Sequence, residues 1–285
     1  MTELPDKRNI RRVYRNVQKH RHIEQLIRRF SSNKKDIRHE ALNCVDLSNC
    51  RRVLELGCAF GAFAEGLRGR LHQDAVIEGL DMIAAYEPFF LAACRRAGYP
   101  GKFSASGVES LCGMPTGGYD LILCSYALYF FVEMVPDIAR LLKNDGIFIT
   151  ITHDLCNMQE LIHITRKTLK EQGLLENNQL LPVELITRRF SSENGEACLE
   201  PFFNNIRKVD FHNTLVFQPW DIYFFVDYFQ FKSPFFLSGT EALRDNIINL
   251  LLHRLQDMGA RQRISMCKDD AFFICTQPII KKDAL

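Results

Sequence analysis

The residue types and spacing best suited to chemistry lie in Arg51-Arg52-Val53-Leu54-Glu55-Leu56-Gly57-Cys58-Ala59-Phe60-Gly61-Ala62-Phe63. Val53, Leu54 and Leu56 suit a buried parallel strand, Gly57 and Gly61 let backbone approach a ligand, and Ala62 to Leu71 has helix-forming character. Val76-Ile77-Glu78-Gly79-Leu80-Asp81 is a second strand, ending in a carboxylate twenty residues beyond Gly61 and followed by Met82. An acid there can accept hydrogen bonds from both hydroxyls of an adenosine ribose. The stretch therefore reads as a nucleotide-type cofactor loop. For proton transfer the candidates are His153, directly after an apolar run, and with less support His212. Tyr126 and Tyr129 follow another apolar run and are placed to orient an acceptor.

Two familiar phosphate-binding loops are excluded. A dinucleotide fingerprint needs glycines where this chain has Ala59 and Ala62, and no G-K-[ST] follows to make a Walker loop. Glu55-x-Gly57-x-Ala59-x-Gly61 instead resembles motif I of the class I S-adenosylmethionine-dependent methyltransferases, E/D-x-G-x-G-x-G. That resemblance implies Glu55 near the cofactor's amino group and backbone amides of the Gly57-Cys58-Ala59 turn for its carboxylate. If the backbone at Ala59 takes positive φ, alanine carries a small strain cost there.

The resemblance continues along the chain. Phe103-Ser104-Ala105-Ser106-Gly107-Val108-Glu109-Ser110-Leu111 looks like the family segment F-x-x-G-D-A-E-x-L, whose acid contacts the adenine amino group. Gly107 holds the acidic position, so adenine recognition falls to backbone near Val108 or to the Ser106 hydroxyl. Tyr119 to Phe130 is similar to the fourth-strand motif, bringing Ser125 to the cofactor, and Leu141-Leu142-Lys143-Asn144-Asp145-Gly146 replaces the usual L-K-P-G-G turn. Phe190-Ser191-Ser192-Glu193-Asn194-Gly195-Glu196-Ala197-Cys198-Leu199 resembles F-x-x-E-N-G-x-x-x-L of a bacterial subgroup acting on small molecules. The reaction implied is in-line attack on a sulfonium methyl, driven mostly by positioning and exclusion of water, with a base for an acceptor that must lose a proton.

These residues need a scaffold that delivers strand ends to one place. Strands are expected near 52–57, 76–81, 102–105, 119–124 and 146–152, with helices near 62–71, 84–97 and 133–142. The alternation predicts an α/β, Rossmann-like, doubly wound sheet, and the resemblance makes it seven-stranded and mostly parallel, with N-terminal helices and a helical lid insertion. The expected organisation is a basic helical cap at 1–45, a cofactor-binding core at 46–152, a lid at 153–208 roofing the acceptor site, and a C-terminal part at 209–285. In the lid a helix is expected from Met158 to Gln172. The last part contains a strand from Val209 to Phe217, an aromatic-rich helix from Trp220 to Phe231, and a terminal hairpin of Ile264–Cys267 with Phe272–Cys275. The aromatic run is expected to be core plus lid.

Composition sets the outer bounds. With 285 residues, 47% hydrophobic and 25% charged, the chain can bury one sizeable core. No apolar run approaches the ~20 residues of a membrane span, and Met1 to Pro5 shows no signal-peptide core, so a cytoplasmic location is expected. The ten cysteines show no C-x-x-C pair, which gives no reason to expect a metal site or a redox dithiol. Residues 1–52 hold fourteen Lys or Arg against six Asp or Glu, although the whole chain is only +2. The basic helices form a solvated face, or attract an anionic acceptor or acidic carrier protein; no nucleic-acid module accompanies them. The reading adopted is an S-adenosylmethionine-dependent methyltransferase for an anionic or apolar small molecule. The alternatives are a catalytically silent relative and an RNA or protein methyltransferase.

Overall fold

The computed structural model describes residues 7–237, 244–259 and 262–280, so Met1 to Pro5 and the last five residues lie outside the described residues. Among the described residues nine strands form two sheets: β1 (Arg52–Leu56), β2 (Val76–Leu80), β3 (Gly101–Ser104), β4 (Tyr119–Ser125), β5 (Leu142–His153), β6 (Phe203–Phe211), β7 (Thr214–Phe217), β8 (Ile264–Cys267) and β9 (Asp270–Pro278). Seven make one sheet in the order β3-β2-β1-β4-β5-β9-β6, and β7 pairs with β8 in another. The chain divides into two compact units.

The sheet unit comprises Lys35–His153, Arg189–Phe211 and the described residues from Asp270. From β3 to β5 every pairing is parallel, and β9 runs antiparallel between β5 and β6. The expected mostly parallel seven-stranded sheet is present. Apolar strand residues such as Val53, Ile77, Leu121 and Ile149 form a buried core with Phe63, Leu67 and Phe90 from the crossovers and Ala41 and Leu42 from the helix Ile37–Leu42. Each fully buried side chain of that size contributes about 1.5–3 kcal/mol. Because all five parallel strands point one way, their carboxyl ends and the following loops share one edge.

The helical unit comprises the chain up to Lys34, Asp154–Arg188 and His212–Asp269. Its basic helices Lys7–Tyr14 and Val17–Phe30 bury Val13, Ile23, Leu26 and Phe30. Asn16 caps the second by accepting the Lys19 N–H at 3.0 Å. Phe30 packs 4.5 Å from Phe217, and Tyr14 meets Phe231 of the helix Ile222–Phe236 edge-on at 5.8 Å, so aromatic residues occupy the apolar faces and the arginines remain outside. Trp220 and Tyr223 are exposed, whereas Phe225, Tyr228, Phe229, Phe231, Phe235 and Phe236 are buried. Among the described residues no helix is long and apolar enough to cross a membrane.

Several elements differ from expectation. The helix expected at 62–71 ends at Gly66, where Leu67 turns back on Ala64 and Phe63. The helix expected at 133–142 stops at Leu141, with β5 beginning at the next residue. The terminal hairpin does not form. β8 pairs with β7, while β9 is buried along most of its length and lies between two strands of the larger sheet. Lys268 N–H donates to Asn213 O and Asn213 N–H donates to Asp269 Oδ1, which ties residues 268–269 to 212–213 rather than folding them into a turn. The strand expected from Val209 to Phe217 is broken at the same place, into β6 and β7. The segment 153–208 is divided at Arg188 between the two units, and its helix runs Gln159–Glu171.

Candidate functional site

The turn after β1 alternates into the left-handed region, with φ of 61° at Gly57, 40° at Ala59 and 72° at Gly61. A side chain at Gly57 would put its Cβ 2.8 Å from that of Ala127, so glycine lets the loops after β1 and β4 touch. Ala59 does carry the strain that its position implied. Its N–H compensates by donating to Asp81 Oδ2 at 3.0 Å. The N–H groups of Gly57 and Cys58 donate to Leu80 O, and that of Gly61 donates to Cys58 O. These amides hold the loop together and are already engaged, which differs from the free carboxylate cradle expected of them. The Cys58 side chain is buried in the core, leaving only its backbone at the turn.

Glu55 is turned inward. It is 2% exposed and its Oε2 accepts the Ala64 N–H at 3.1 Å, at the start of the helix Ala62–Gly66. Burial pushes its carboxyl up to about 8 against that hydrogen bond and the Arg38 charge. Its observed partner is thus a helix terminus, and it acts on the site by fixing the loop. Asp81, half-buried at the end of β2, is the second anchor. Its Oδ1 accepts the Ile83 N–H at 2.9 Å while Oδ2 takes Ala59, and burial raises its pKa. Each carboxylate oxygen has two acceptor sites, so one remains on each for further donors. Met82 is half-buried inside the turn that Ile83 closes.

After β3, Ser104 and Ser106 hydroxyls lie 2.8 Å apart, Ser106 Oγ donates to Ser110 Oγ, and Ser110 Oγ donates to Gly107 O at 2.8 Å. Gly107 has φ of 77°, and a Cβ there would sit 2.8 Å from Glu109 Oε2. The local backbone therefore disfavours the acid of the resembled motif, and Val108 starts a 3₁₀ turn directly after it.

At the ends of β4 and β5 the polar groups form one cluster. His153 and Asp270 are register partners across the antiparallel β5/β9 pair, and His153 Nδ1 lies 2.7 Å from Asp270 Oδ1. Tyr126 Oη donates to Asp270 Oδ2 at 2.7 Å. The Tyr126 and Tyr129 rings stack on the imidazole at 4.8 and 5.7 Å. Both tyrosines are thus placed to hold His153. Tyr126 has φ of 55°, a strained conformation for an aromatic residue, following the half-buried Ser125. Burial and the Asp270 charge raise its phenol well above the ordinary value. Arg38 reaches the same region, its guanidinium 5.7 Å from the Tyr126 ring centre and 18% exposed. His212 belongs to the helical unit, exposed and paired with Asp269.

Sequence reasoning missed Asp270 and Arg38. Asp270 precedes the apolar run Ala271–Cys275 and so carries the same sign as Asp81, an acid at a strand end, but it falls between the two arms of the expected hairpin. Arg38 was one of fourteen N-terminal cations with nothing local to separate it from the others. The subgroup-like motif at 190–199 has a packing explanation. Asn194 Oδ1 accepts the Ser191 N–H at 2.7 Å, and a Cβ on Gly195 would lie 2.5 Å from the Phe273 ring.

Residues 54–150 match the family model described as "Methyltransferase domain". The curated protein "Uncharacterized methyltransferase YcgJ" of Bacillus subtilis (strain 168) is 26% identical over 160 residues, 48% of this chain and 60% of that protein. The solved structure of YcgJ has a TM-score of 0.50 at 20% identity, covering 84% of this chain and 99% of its own. A protein from Bacillus halodurans C-125 named as a methyltransferase gives 0.54 at 11% identity, with 85% and 99% covered. At those identities the structural likeness shows the fold.

Proposed function

The sheet unit of this chain carries a class I S-adenosylmethionine-dependent methyltransferase domain, and on that premise we propose that the protein methylates an O, N or C atom of a small molecule that gives up a proton to His153. The observation that carries this reading is the His153–Asp270 contact of 2.7 Å, fixed by strand register.

The loops fit the cofactor in two respects. A run of left-handed residues admits a ligand close to backbone, and Asp81 keeps acceptor capacity for two ribose hydroxyls. When bound, S-adenosylmethionine supplies an electrophilic methyl on a sulfonium, a good leaving group. Asp81 would hold the ribose, Gly107 and Val108 would offer backbone to the adenine, and Ser125 would border the site. Arg38 is the group suited to the methionyl carboxylate, because the amides of Gly57, Cys58, Ala59 and Gly61 already have protein acceptors.

Asp270 sets the chemistry of His153. With Nδ1–H donating to Asp270, the lone pair of the neutral ring sits on Nε2, and the buried carboxylate stabilises the imidazolium that forms when Nε2 takes a proton. Tyr126 and Tyr129 restrict the ring to that orientation. A positioned base of this kind contributes about 10²–10⁴-fold to a step that needs proton removal.

Calorimetric titration with S-adenosylmethionine and S-adenosylhomocysteine, with Asp81→Ala as control, tests the cofactor half. An acceptor screen that reads S-adenosylhomocysteine release, repeated on His153→Gln, tests the base. Micromolar binding lost in Asp81→Ala, with turnover that falls in His153→Gln, is expected. Absence of binding by either sulfur ligand would point instead to a silent relative of the family.

A further inference from the structure

In the helical unit Cys156 comes together with two potential ligand residues 111 or more positions further along the chain, Cys267 and Asp269. Cys156 Sγ lies 2.7 Å from Cys267 Sγ, and both sulfurs and a carboxylate oxygen of Asp269 fall within 4.8 Å of one another. Main-chain contacts fix the pair. Met158 N–H donates to Cys267 O at 2.9 Å, and Cys267 N–H donates to Glu160 Oε2 at 3.0 Å, which holds the end of β8 against the start of the helix Gln159–Glu171. Asp269 is oriented on both oxygens, by Asn213 N–H on Oδ1 at 2.7 Å and by His212 Nδ1, 3.2 Å from Oδ2.

We propose that Cys156, Cys267 and Asp269 bind one divalent ion of the zinc class, with water in the fourth position. Two thiolate sulfurs and one carboxylate suit zinc, and no use for them arises in the methyl-transfer site. His212 and Asn213 act as the outer partners that orient a ligating carboxylate. All three ligand residues are half-buried, so an ion can reach them from solvent. Tetrahedral bonds of about 2.3 Å place two sulfurs nearly 4 Å apart, an opening of roughly 1 Å that χ1 rotation supplies. On binding, the two thiol protons leave to solvent and two metal–sulfur bonds replace them. The competing fate of close thiols is a disulfide. Carboxylates disfavour it here, because Asp154 Oδ1 accepts the Cys156 N–H at 2.7 Å and Glu160 and Asp269 border Cys267. Negative neighbours oppose the lone thiolate that disulfide exchange requires and strengthen the hold on a cation.

The test is titration of the reduced, chelator-stripped full-length protein with Co²⁺ in the absence of air. One equivalent is expected to bind with thiolate-to-cobalt charge-transfer absorption, and Zn²⁺ should displace it and bleach the band. Cys156→Ser and Cys267→Ser should lose the band, Cys198→Ser should keep it, and Asp269→Asn should weaken Co²⁺ by about tenfold or more. Since a cysteine change can cost folding, elemental analysis of the wild-type protein after dialysis and a Zn²⁺-dependent rise in Tm read the same site without mutation. The proposal is overturned if Co²⁺ gives no thiolate band. It is equally overturned if thiol titration of the protein as purified, before any reduction, finds two fewer than the ten cysteines and the mass is lower by two hydrogens.

Discussion

Two histidine–aspartate pairs use adjacent aspartates, Asp270 in the sheet unit and Asp269 in the helical unit, and they differ in every property that matters for catalysis. His153 and Asp270 are 14% and 5% exposed and 2.7 Å apart, whereas His212 and Asp269 are 83% and 27% exposed and 3.2 Å apart. The first pair sits on two hydrogen-bonded strands in register, with Tyr126 donating to the same carboxylate. The second joins loop residues. Burial and strand register hold the first pair in one geometry, as the proposed proton-accepting role of His153 requires, while solvent screening leaves the other worth at most about 1 kcal/mol. Residue type alone therefore says little about which histidine is placed to act as a base.

The comparison breaks most visibly at Asp270. Asp270→Asn should keep the fold, because asparagine retains the shape and one acceptor, yet lower kcat about 10²–10⁴-fold for an acceptor that must lose a proton. Cofactor affinity should be little changed, and the same substitution at Asp269 should leave kcat unaltered; steady-state kinetics with calorimetry on both variants checks this. Next in size is Asp81→Ala, which removes a charge-assisted acceptor worth about 1.5–3 kcal/mol. It should weaken S-adenosylhomocysteine by about 10–100-fold, or more where the loop loosens with loss of the Ala59 hydrogen bond. A result confined to kcat would place Asp81 elsewhere in the mechanism.

Smaller effects concern stability. Glu55 titrates at about 8 in the folded protein, above its ordinary 4.5, so the folded state holds a proton that the unfolded chain has released between those values. Stability is therefore greatest below the lower value and declines as pH rises toward the upper. Glu55→Gln should flatten that decline, measured as urea midpoints at about pH 5 and pH 8. A wild-type curve that rises over that interval would contradict the buried, protonated placement. Smallest is His212→Ala, expected to change stability by less than about 1 kcal/mol when chelator is present.

What was legible in the sequence was whatever depended on local order. Glu55, Gly57, Gly61 and Asp81 announce themselves because strand, turn and helix follow within a few residues, and four of the five parallel strands start within one residue of where periodicity put them, the fifth beginning early at Leu142. At Ala59 the sequence ties strain to a positive φ, and the backbone there has φ of 40°. The rest depended on pairing at long range. Asp270 meets His153 only because β9 inserts between β5 and β6, and two apolar runs separated by Lys268-Asp269 give no sign that they enter different sheets. The same limit hid Cys156 and Cys267, whose contact no C-x-x-C spacing could reveal. Arg38 was obscured by its equally basic neighbours, since charge counting ranks cations by number and not by the ring each one faces.

The central claim, that Asp270 prepares His153 to take a proton at Nε2, is tested most directly by ¹⁵N spectroscopy of the histidine rings in the S-adenosylhomocysteine-bound protein, which needs no acceptor. The eight histidines are assigned by substitution, with His212 as the exposed reference. Neutral His153 is predicted to carry its proton on Nδ1 and to lose that preference in Asp270→Asn, while the His212 ring is unchanged by that substitution. A His153 ring protonated at Nε2 and unaffected by Asp270→Asn would contradict the account.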